Sequence, residues 1–486
     1  EVKNDMPVLL FIPGILGSTL TIDNRNVWGK YPPESPKTQR EDLAFNHKAY
    51  DANKVALDIL RNFTVKSGNF LSADNIELDI EKEILKPLTE FMRRQTYSSI
   101  MLGLCFPYDW RLDIRSTAEL LNKKLQDANW AKQFSLCFNN KALANEPVSE
   151  KKRKKLIIIS YSTGGVVAQW WYQEHYANEK EKNKYPFDLE EMIFLGVPFQ
   201  GSPSSFLDLL KGYNLARNHW YGQLLAHFFE NFRTGAFTFP SIYQLFPFYY
   251  PGDPNLPAVV FEGNHQVDHL GSVPWSGYED WNKQAVNAFG IIGLKGEEAN
   301  ARLSELLAGA KQLHNGLRAG RMFDKATCFY SNKYDTPRKL PVSSTGSIEE
   351  KAIENAKGDE RVLPFSAKNG RKCGNPVMVD STHSELPNNP TFLEHLHDRY
   401  SNTGYDAFAR LIMERTELQG GFVKELVYLP VSGHPELQQD TTPNIMKLNQ
   451  LVAQRNNINR TDEFYAYANG SNKTEFLRIA AAIYNI

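Results

Sequence analysis

The stretch from Lys154 to Ala168, KKLIIISYSTGGVVA, constrains the fold more than any other part of the chain. Four apolar residues, Leu156 to Ile159, predict a strand buried on both faces, because strands sandwiched between helices read as continuous hydrophobic runs. Ser160-Tyr161-Ser162-Thr163-Gly164 breaks the run, and Val166 to Gln173 predicts a helix. Strand, sharp turn and helix in succession are the setting of a nucleophile elbow, whose usual form is Gly-x-Ser-x-Gly. Ser160 stands where the first Gly is usual. The turn is tight, so the residues two before and two after the nucleophile must be small, and Ser160, Gly164 and Gly165 meet that need. Ser162 then sits at the apex with strained φ/ψ and an exposed Oγ. The next amide, Thr163 N–H, is a candidate donor to a developing oxyanion. The plainer reading is a chance Ser/Gly turn, and the strand before it and the helix after it favour the nucleophile.

Val8 to Ile12 is a second continuous apolar run, ended by Pro13-Gly14. The loop after such a strand supplies a second oxyanion donor in this kind of site, and Ile15 N–H is the candidate. Ser99–Phe106, Met192–Val197 and Ala326–Ser331 predict further buried strands. A helix is expected from Ser116 to Trp130, opened by the capping box Ser116-Thr-Ala-Glu119. Strands alternating with helices predict an α/β protein with a mostly parallel sheet and helices on both faces. Residues 20 to 60 read as a polar loop excursion carrying Trp28, and residues 75 to 96 have helical spacing.

The interval between the last two strands is far longer than a crossover needs. The expected organisation is therefore a core from 1 to 203, an inserted cap or lid from 204 to 325, the rest of the core from 326 to 400, and an extension of open role from 401 to 486. From Trp220 to Phe261 the insert holds 13 aromatic residues in 42 positions. Most of these rings are expected to fill the cap's own core, and some to line a lipid-facing wall.

A net charge of −1 supplies no global field toward nucleic acid or an anionic surface. An apolar share of 42% with 23% charged residues describes a globular chain, and no run of 18 apolar residues predicts a membrane span. Cys105, Cys137, Cys328 and Cys373 have no zinc-site spacing. Cys105 and Cys328 fall in apolar runs and read as buried thiols, with two disulfides possible. Lys151-Lys-Arg-Lys-Lys155 reads as a solvated loop before a strand. The chain begins at Glu1 rather than Met, so an N-terminal segment is expected to have been processed or trimmed.

A serine nucleophile needs a base, and the base an orienting carboxylate, in the chain order Ser, Asp or Glu, His. Asp359, in Gly358-Asp-Glu-Arg-Val-Leu-Pro364, is the leading acid, with Asp335, Glu360 and Asp380 as competitors. His383 follows a strand-like Val377-Met-Val379 in a loop ahead of a helix expected from Thr391 to Tyr400. His434 is its rival. His395 and His397 lie within that helix, where an i, i+2 pair cannot face one way. No metal or organic cofactor is implied.

The ordered set Pro13-Gly14-Ile15-Leu16-Gly17-Ser18, Phe106-Pro-Tyr-Asp-Trp-Arg111, Ser160-Tyr-Ser-Thr-Gly-Gly165, Gly196-Val-Pro-Phe-Gln-Gly-Ser202 and Gly358-Asp359 resembles the lecithin:cholesterol acyltransferase family, as does Phe239-Pro-Ser-Ile-Tyr-Gln-Leu-Phe-Pro247. The resemblance covers roughly residues 7 to 400. It implies a capped α/β-hydrolase that cleaves or transfers acyl groups of glycerophospholipids, with Ser162, Asp359 and His383 as the triad and Ile15 and Thr163 as oxyanion-hole amides. It also places Trp28, more loosely, near the acyl site. The implied partner is a phospholipid or other lipid ester at a membrane or lipoprotein surface. Gly358-Asp-Glu-Arg361 departs from the family's more usual Gly-Asp-Gly-Thr. A reading of another class, a lipid- or protein-binding module that keeps the fold without turnover, remains the alternative.

Overall fold

The computed structural model describes residues 7–15, 17–22, 25–28, 72–76, 102–136, 154–211, 236–247, 258–261, 265–266, 289, 294–343 and 348–400. The chain divides into two compact units, Glu1–Leu393 and Glu394–Ile486. Residues 401–486, and His434 with them, lie outside the described residues.

The first strand, β1 (Val8–Ile12), is buried along its whole length. Beyond it, β2 (Ser18–Ile22), β3 (Arg25–Trp28) and β4 (Ser72–Ile76) form a small antiparallel sheet in the order β3-β2-β4. This corrects the reading of residues 20 to 60 as only a loop. These strands are short and polar, and backbone pairing rather than an apolar run defines them. The helical spacing at 75 to 96 begins inside β4, and its remainder lies outside the described residues.

The chain returns through β5 (Leu102–Cys105), parallel to β1 in the register Val8↔Leu102. Helix α1 (Ile114–Gln126) begins earlier than expected, and its N-cap is Asp113, not Ser116. The Asp113 carboxylate accepts from the Arg115 amide at 2.8 Å and also pairs with the Arg115 guanidinium, so it satisfies an orphan helix donor as well as Ser would. The short strand β6 (Ser135–Leu136) runs antiparallel to β5 at the sheet edge.

Next, β7 (Lys154–Tyr161) lies between β1 and β8 (Phe187–Leu195), parallel to both. Lys154 and Lys155 of the predicted solvated loop belong to this strand. Between them runs α2 (Thr163–Trp171), continued by one π-turn, Tyr172–Tyr176. Helix α3 (Pro203–Lys211), strands β9 (Ala258–Phe261) and β10 (His265–Gln266), and helix α4 (Glu297–Ala319) follow. The chain then forms β11 (Ala326–Tyr330), β12 (Tyr334–Val342), β13 (Glu354–Gly358), β14 (Asn375–Met378) and α5 (Pro390–Tyr400).

The central sheet has the order β14-β11-β8-β7-β1-β5-β6 and is parallel except for β6. This is the α/β-hydrolase architecture. After β1 the chain builds one side of the sheet through β5. From β7 onward it builds the other. The crevice beyond the carboxyl ends of β1 and β7 is therefore a topological switch point, where open α/β sheets place their ligands.

A second sheet, β10-β9-β12-β13, was not expected from the sequence. Pro337 and Pro341 interrupt β12, and β13 is a polar Glu-Asn-Ala-Lys-Gly run, and both features argue against strands in a sequence. Between α3 and α4, Phe237, Phe239, Tyr243 and Phe246 are all buried. Phe239 packs edge-on against Trp110, and the Tyr243 hydroxyl donates to the Phe237 carbonyl at 2.7 Å. These four rings fill the core. The rings from Trp220 to Phe232 and from Phe248 to Tyr250 lie outside the described residues. No helix among the described residues is long and apolar enough to cross a membrane.

The expectation of buried thiols is corrected. Cys328 of β11 is buried but bonded to Cys373, and Cys105 is also disulfide-bonded. Cys373 lies just before β14, the neighbour of β11, so the two sulfurs meet across adjacent strands. Linking residues 45 apart restricts the unfolded chain, by about 4 kcal/mol on the chain-entropy model. Replacing Cys328 and Cys373 together with Ala is expected to lower unfolding free energy by about 2–4 kcal/mol, measured by urea denaturation monitored by tryptophan fluorescence.

Candidate active site

The elbow follows from local packing. Leu156 to Ile159 are fully buried in β7, and Ser160, in Gly's usual place, is buried as well. Its hydroxyl donates to the Ile193 carbonyl of β8 at 3.2 Å, so the extra polar atom is satisfied. Ser162 has φ 51° and ψ −127°, a left-handed backbone that a serine adopts only under constraint. That constraint is a close approach on three sides. A Cβ on Gly164 would fall 2.5 Å from the Ile12 carbonyl oxygen and overlap that of Pro13. One on Gly165 would overlap Val197, and one on Gly14 would come 3.0 Å from the Ser162 Cβ. The Ser162 amide donates to the Leu195 carbonyl at 2.9 Å, which ties the apex to the end of β8.

Three predicted side chains meet at this apex. His383 Nε2 lies 3.1 Å from Ser162 Oγ, and His383 Nδ1 lies 2.8 Å from Asp359 Oδ2. Asp359 is fully buried. Its other oxygen accepts from the Arg361 amide at 2.9 Å and the Val362 amide at 2.6 Å, so both oxygens of the buried carboxylate have partners. The His383 amide in turn donates to the Asp359 carbonyl at 2.7 Å. The competing acids lie elsewhere. Asp335 is exposed and paired with Lys357, and Asp380 is exposed and accepts from the Tyr334 hydroxyl. Glu360 adjoins Asp359 at φ 79°. Burial, followed by the Asp359 charge, raises its carboxyl above the ordinary range. His395 and His397 fall in α5.

Thr163, the first residue of α2, is buried, and an amide in that position has no intrahelical acceptor. Ile15 follows Gly14 in the turn beside Ser162, half-buried against the core. Trp28 closes β3, and its side chain lies outside the described residues. Among the described residues, no group of three or more His, Cys, Asp or Glu side chains is placed to hold a metal ion.

Several positioning residues escaped the sequence reading. Gly196, at φ 56°, forms the floor under the His383–Asp359 pair. A Cβ there would meet Leu386 Cδ1 at 2.6 Å, His383 Nδ1 at 2.9 Å and Asp359 Oδ2 at 3.0 Å. The Tyr161 ring packs 5.2 Å from the imidazole, and its hydroxyl donates to the His383 carbonyl at 3.1 Å. Arg361 pairs with the partly buried Asp208 of α3, and the Arg361 carbonyl accepts from Ser202 Oγ. The motif Gly196-Val-Pro-Phe-Gln-Gly-Ser202 was the one signal pointing to Gly196, through its glycine just after a buried strand.

No family model matches the chain, and no curated protein matches it. Among solved structures, the Tle4-Tli4 complex is similar at 15% identity, covering 79% of this chain and 95% of that one, with a TM-score of 0.48. Lipase 1 from Pelosinus fermentans is similar at 12% identity, covering 80% and 94%, with a TM-score of 0.29. Likenesses this distant carry no conclusion about the site. The fold rests on strand order and register.

Two substitutions test the geometry. Gly196→Ala is expected to lower turnover of an ester substrate by at least about 10²-fold, because it displaces the His383–Asp359 pair. Glu360→Gly relieves the left-handed backbone and is expected to raise unfolding free energy by about 1 kcal/mol in thermal melts.

Proposed function

We propose that the protein is a serine-dependent lipid acyl-ester hydrolase or acyltransferase, phospholipase A-like, which works through an acyl-Ser162 intermediate. The observation that carries this reading is the unbroken chain of short contacts from Asp359 through His383 to the Ser162 hydroxyl, at 2.8 and 3.1 Å. A serine hydroxyl is a weak nucleophile until an oriented base removes its proton.

In the proposed mechanism Ser162 Oγ attacks the ester carbonyl carbon while His383 Nε2 takes the hydroxyl proton. Asp359 holds Nδ1–H and so fixes the tautomer, leaving Nε2 as the acceptor. The carbonyl oxygen becomes an oxyanion, held by the amides of Thr163 and Ile15. The C–O bond to the alcohol then breaks, and His383 returns the proton to the leaving oxygen. Water or a second alcohol, deprotonated by the same imidazole, attacks the acyl-serine and releases an acid or a new ester. Hydrolysis and transfer share every step up to that attack.

Lipid as substrate is supported by the motif resemblance, including Pro107-Tyr-Asp-Trp-Arg111, and by the aromatic density of the insert. The proposed partner is a phospholipid or other lipid ester at a membrane or lipoprotein surface, with Trp28 at the acyl site.

Ser162→Ala is expected to abolish fluorophosphonate labelling and cut phospholipid turnover by about 10⁶-fold, the scale seen when a serine triad loses its nucleophile. Full labelling and activity in the variant would overturn the reading. A binding module without turnover would take up no label even as wild type.

A further inference from the structure

Pro13 to Ser18 must present an amide beside Ser162, yet this stretch leaves the sheet at Ile12, the last residue of β1 to pair with β7. What holds it is the segment after β5. The Tyr108 hydroxyl donates to the Pro13 carbonyl at 2.9 Å, and both residues are buried. The Tyr108 amide donates to Ser18 Oγ at 3.1 Å, and Trp110 Nε1 donates to the Ser18 carbonyl at 3.2 Å. The loop is thus gripped at both ends by residues 108 and 110. Those residues are fixed in turn by the buried Asp109–Arg111 pair and by stacking of Tyr108 on Phe106 at 5.7 Å.

The geometry points to Tyr108 as a positioning residue for the oxyanion hole, an inference that rests on the Ser162 reading proposed above. Each peptide group is planar, so fixing its carbonyl also fixes the following amide. The Pro13 carbonyl shares a plane with the Gly14 amide, and the Gly14 carbonyl shares the next plane with Ile15 N–H. The first plane is held by the Tyr108 hydroxyl. The second is held by the Gly17 amide, which donates to the Gly14 carbonyl at 3.2 Å. The Pro13 carbonyl also lies against Gly164 at the start of α2. The phenol hydroxyl therefore anchors the first of the two planes that lead to Ile15 N–H, at the point where the loop meets the elbow that carries Thr163. Without it the Pro13 carbonyl is buried with one partner fewer, and the loop can rotate to seek another.

The test is Tyr108→Phe, which keeps the ring and its stacking, assayed beside Ser162→Ala and wild type. The substrate is a soluble p-nitrophenyl ester. The inhibitor is a trifluoromethyl ketone, whose adduct with Ser162 places an oxyanion in the hole. We expect kcat to fall about tenfold with KM within about twofold, and ketone affinity to fall by the same factor as kcat, with the thermal midpoint near wild type. Ser18→Ala, which removes the acceptor of the Tyr108 amide, is expected to show the same pattern more weakly. Unchanged kcat and ketone affinity in Tyr108→Phe would overturn the inference, as would a loss confined to KM or to the thermal midpoint. If Ser162→Ala stays active, the reading of the site itself fails. If Ser162→Ala is dead while Tyr108→Phe behaves as wild type, only this inference fails.

Discussion

The close approach of helix α2 to the end of strand β1 governs the whole arrangement. Gly164 has no room for a side chain, because its Cα lies under the carbonyls of Ile12 and Pro13. Gly165 is pressed as tightly onto Val197 after β8. With the helix held so near the sheet, the chain has one residue in which to reverse, and Ser162 takes up the left-handed backbone. A strained residue persists only where its surroundings over-determine it. Here the surroundings are the middle of a parallel sheet, whose strands are buried on both faces.

The second half of the site is built differently. Asp359 and His383 come from the ends of two edge elements, β13 of the smaller sheet and β14 of the larger one, rather than from the sheet centre. Their alignment therefore depends on local bonds. The two amides on Asp359 Oδ1 and the Asp359 carbonyl on the His383 amide lock the two loops to one another. Gly196 leaves space beneath both side chains, and Tyr161 closes the imidazole from the elbow side. A buried carboxylate with fewer donors would carry a heavy desolvation cost, so the contacts that orient Asp359 also offset its burial.

The strands β1, β7, β8 and β11 are legible in the sequence because burial on both faces leaves continuous apolar runs such as Leu156 to Ile159. The elbow is legible because tight turns demand small residues at set spacings. The edge sheets are not, because Pro337, Pro341 and the charges of Glu354-Asn-Ala-Lys357 are compatible with paired strands only once the neighbours are known. The cap of α1 was misplaced for a similar reason, since Asp113 and Ser116 are both good caps and tertiary packing chose between them. Ser162, Asp359 and His383 could be nominated from chain order and loop context, but their mutual distances could not. Gly196 leaves room beside those residues, Tyr161 packs on and bonds to His383, and Tyr108 bonds to Pro13 across 95 positions of chain, contacts that no local pattern encodes.

The central claim is that the Ser162 hydroxyl forms a covalent bond to an acyl group. Rapid acid quench of the wild-type protein with phosphatidylcholine labelled in its acyl chains, followed by peptide mass spectrometry, measures this directly. The account predicts an acyl ester on the peptide that contains Ser162, formed and lost at rates compatible with turnover. Product formation with no acyl adduct, or with the adduct on another residue, would contradict it.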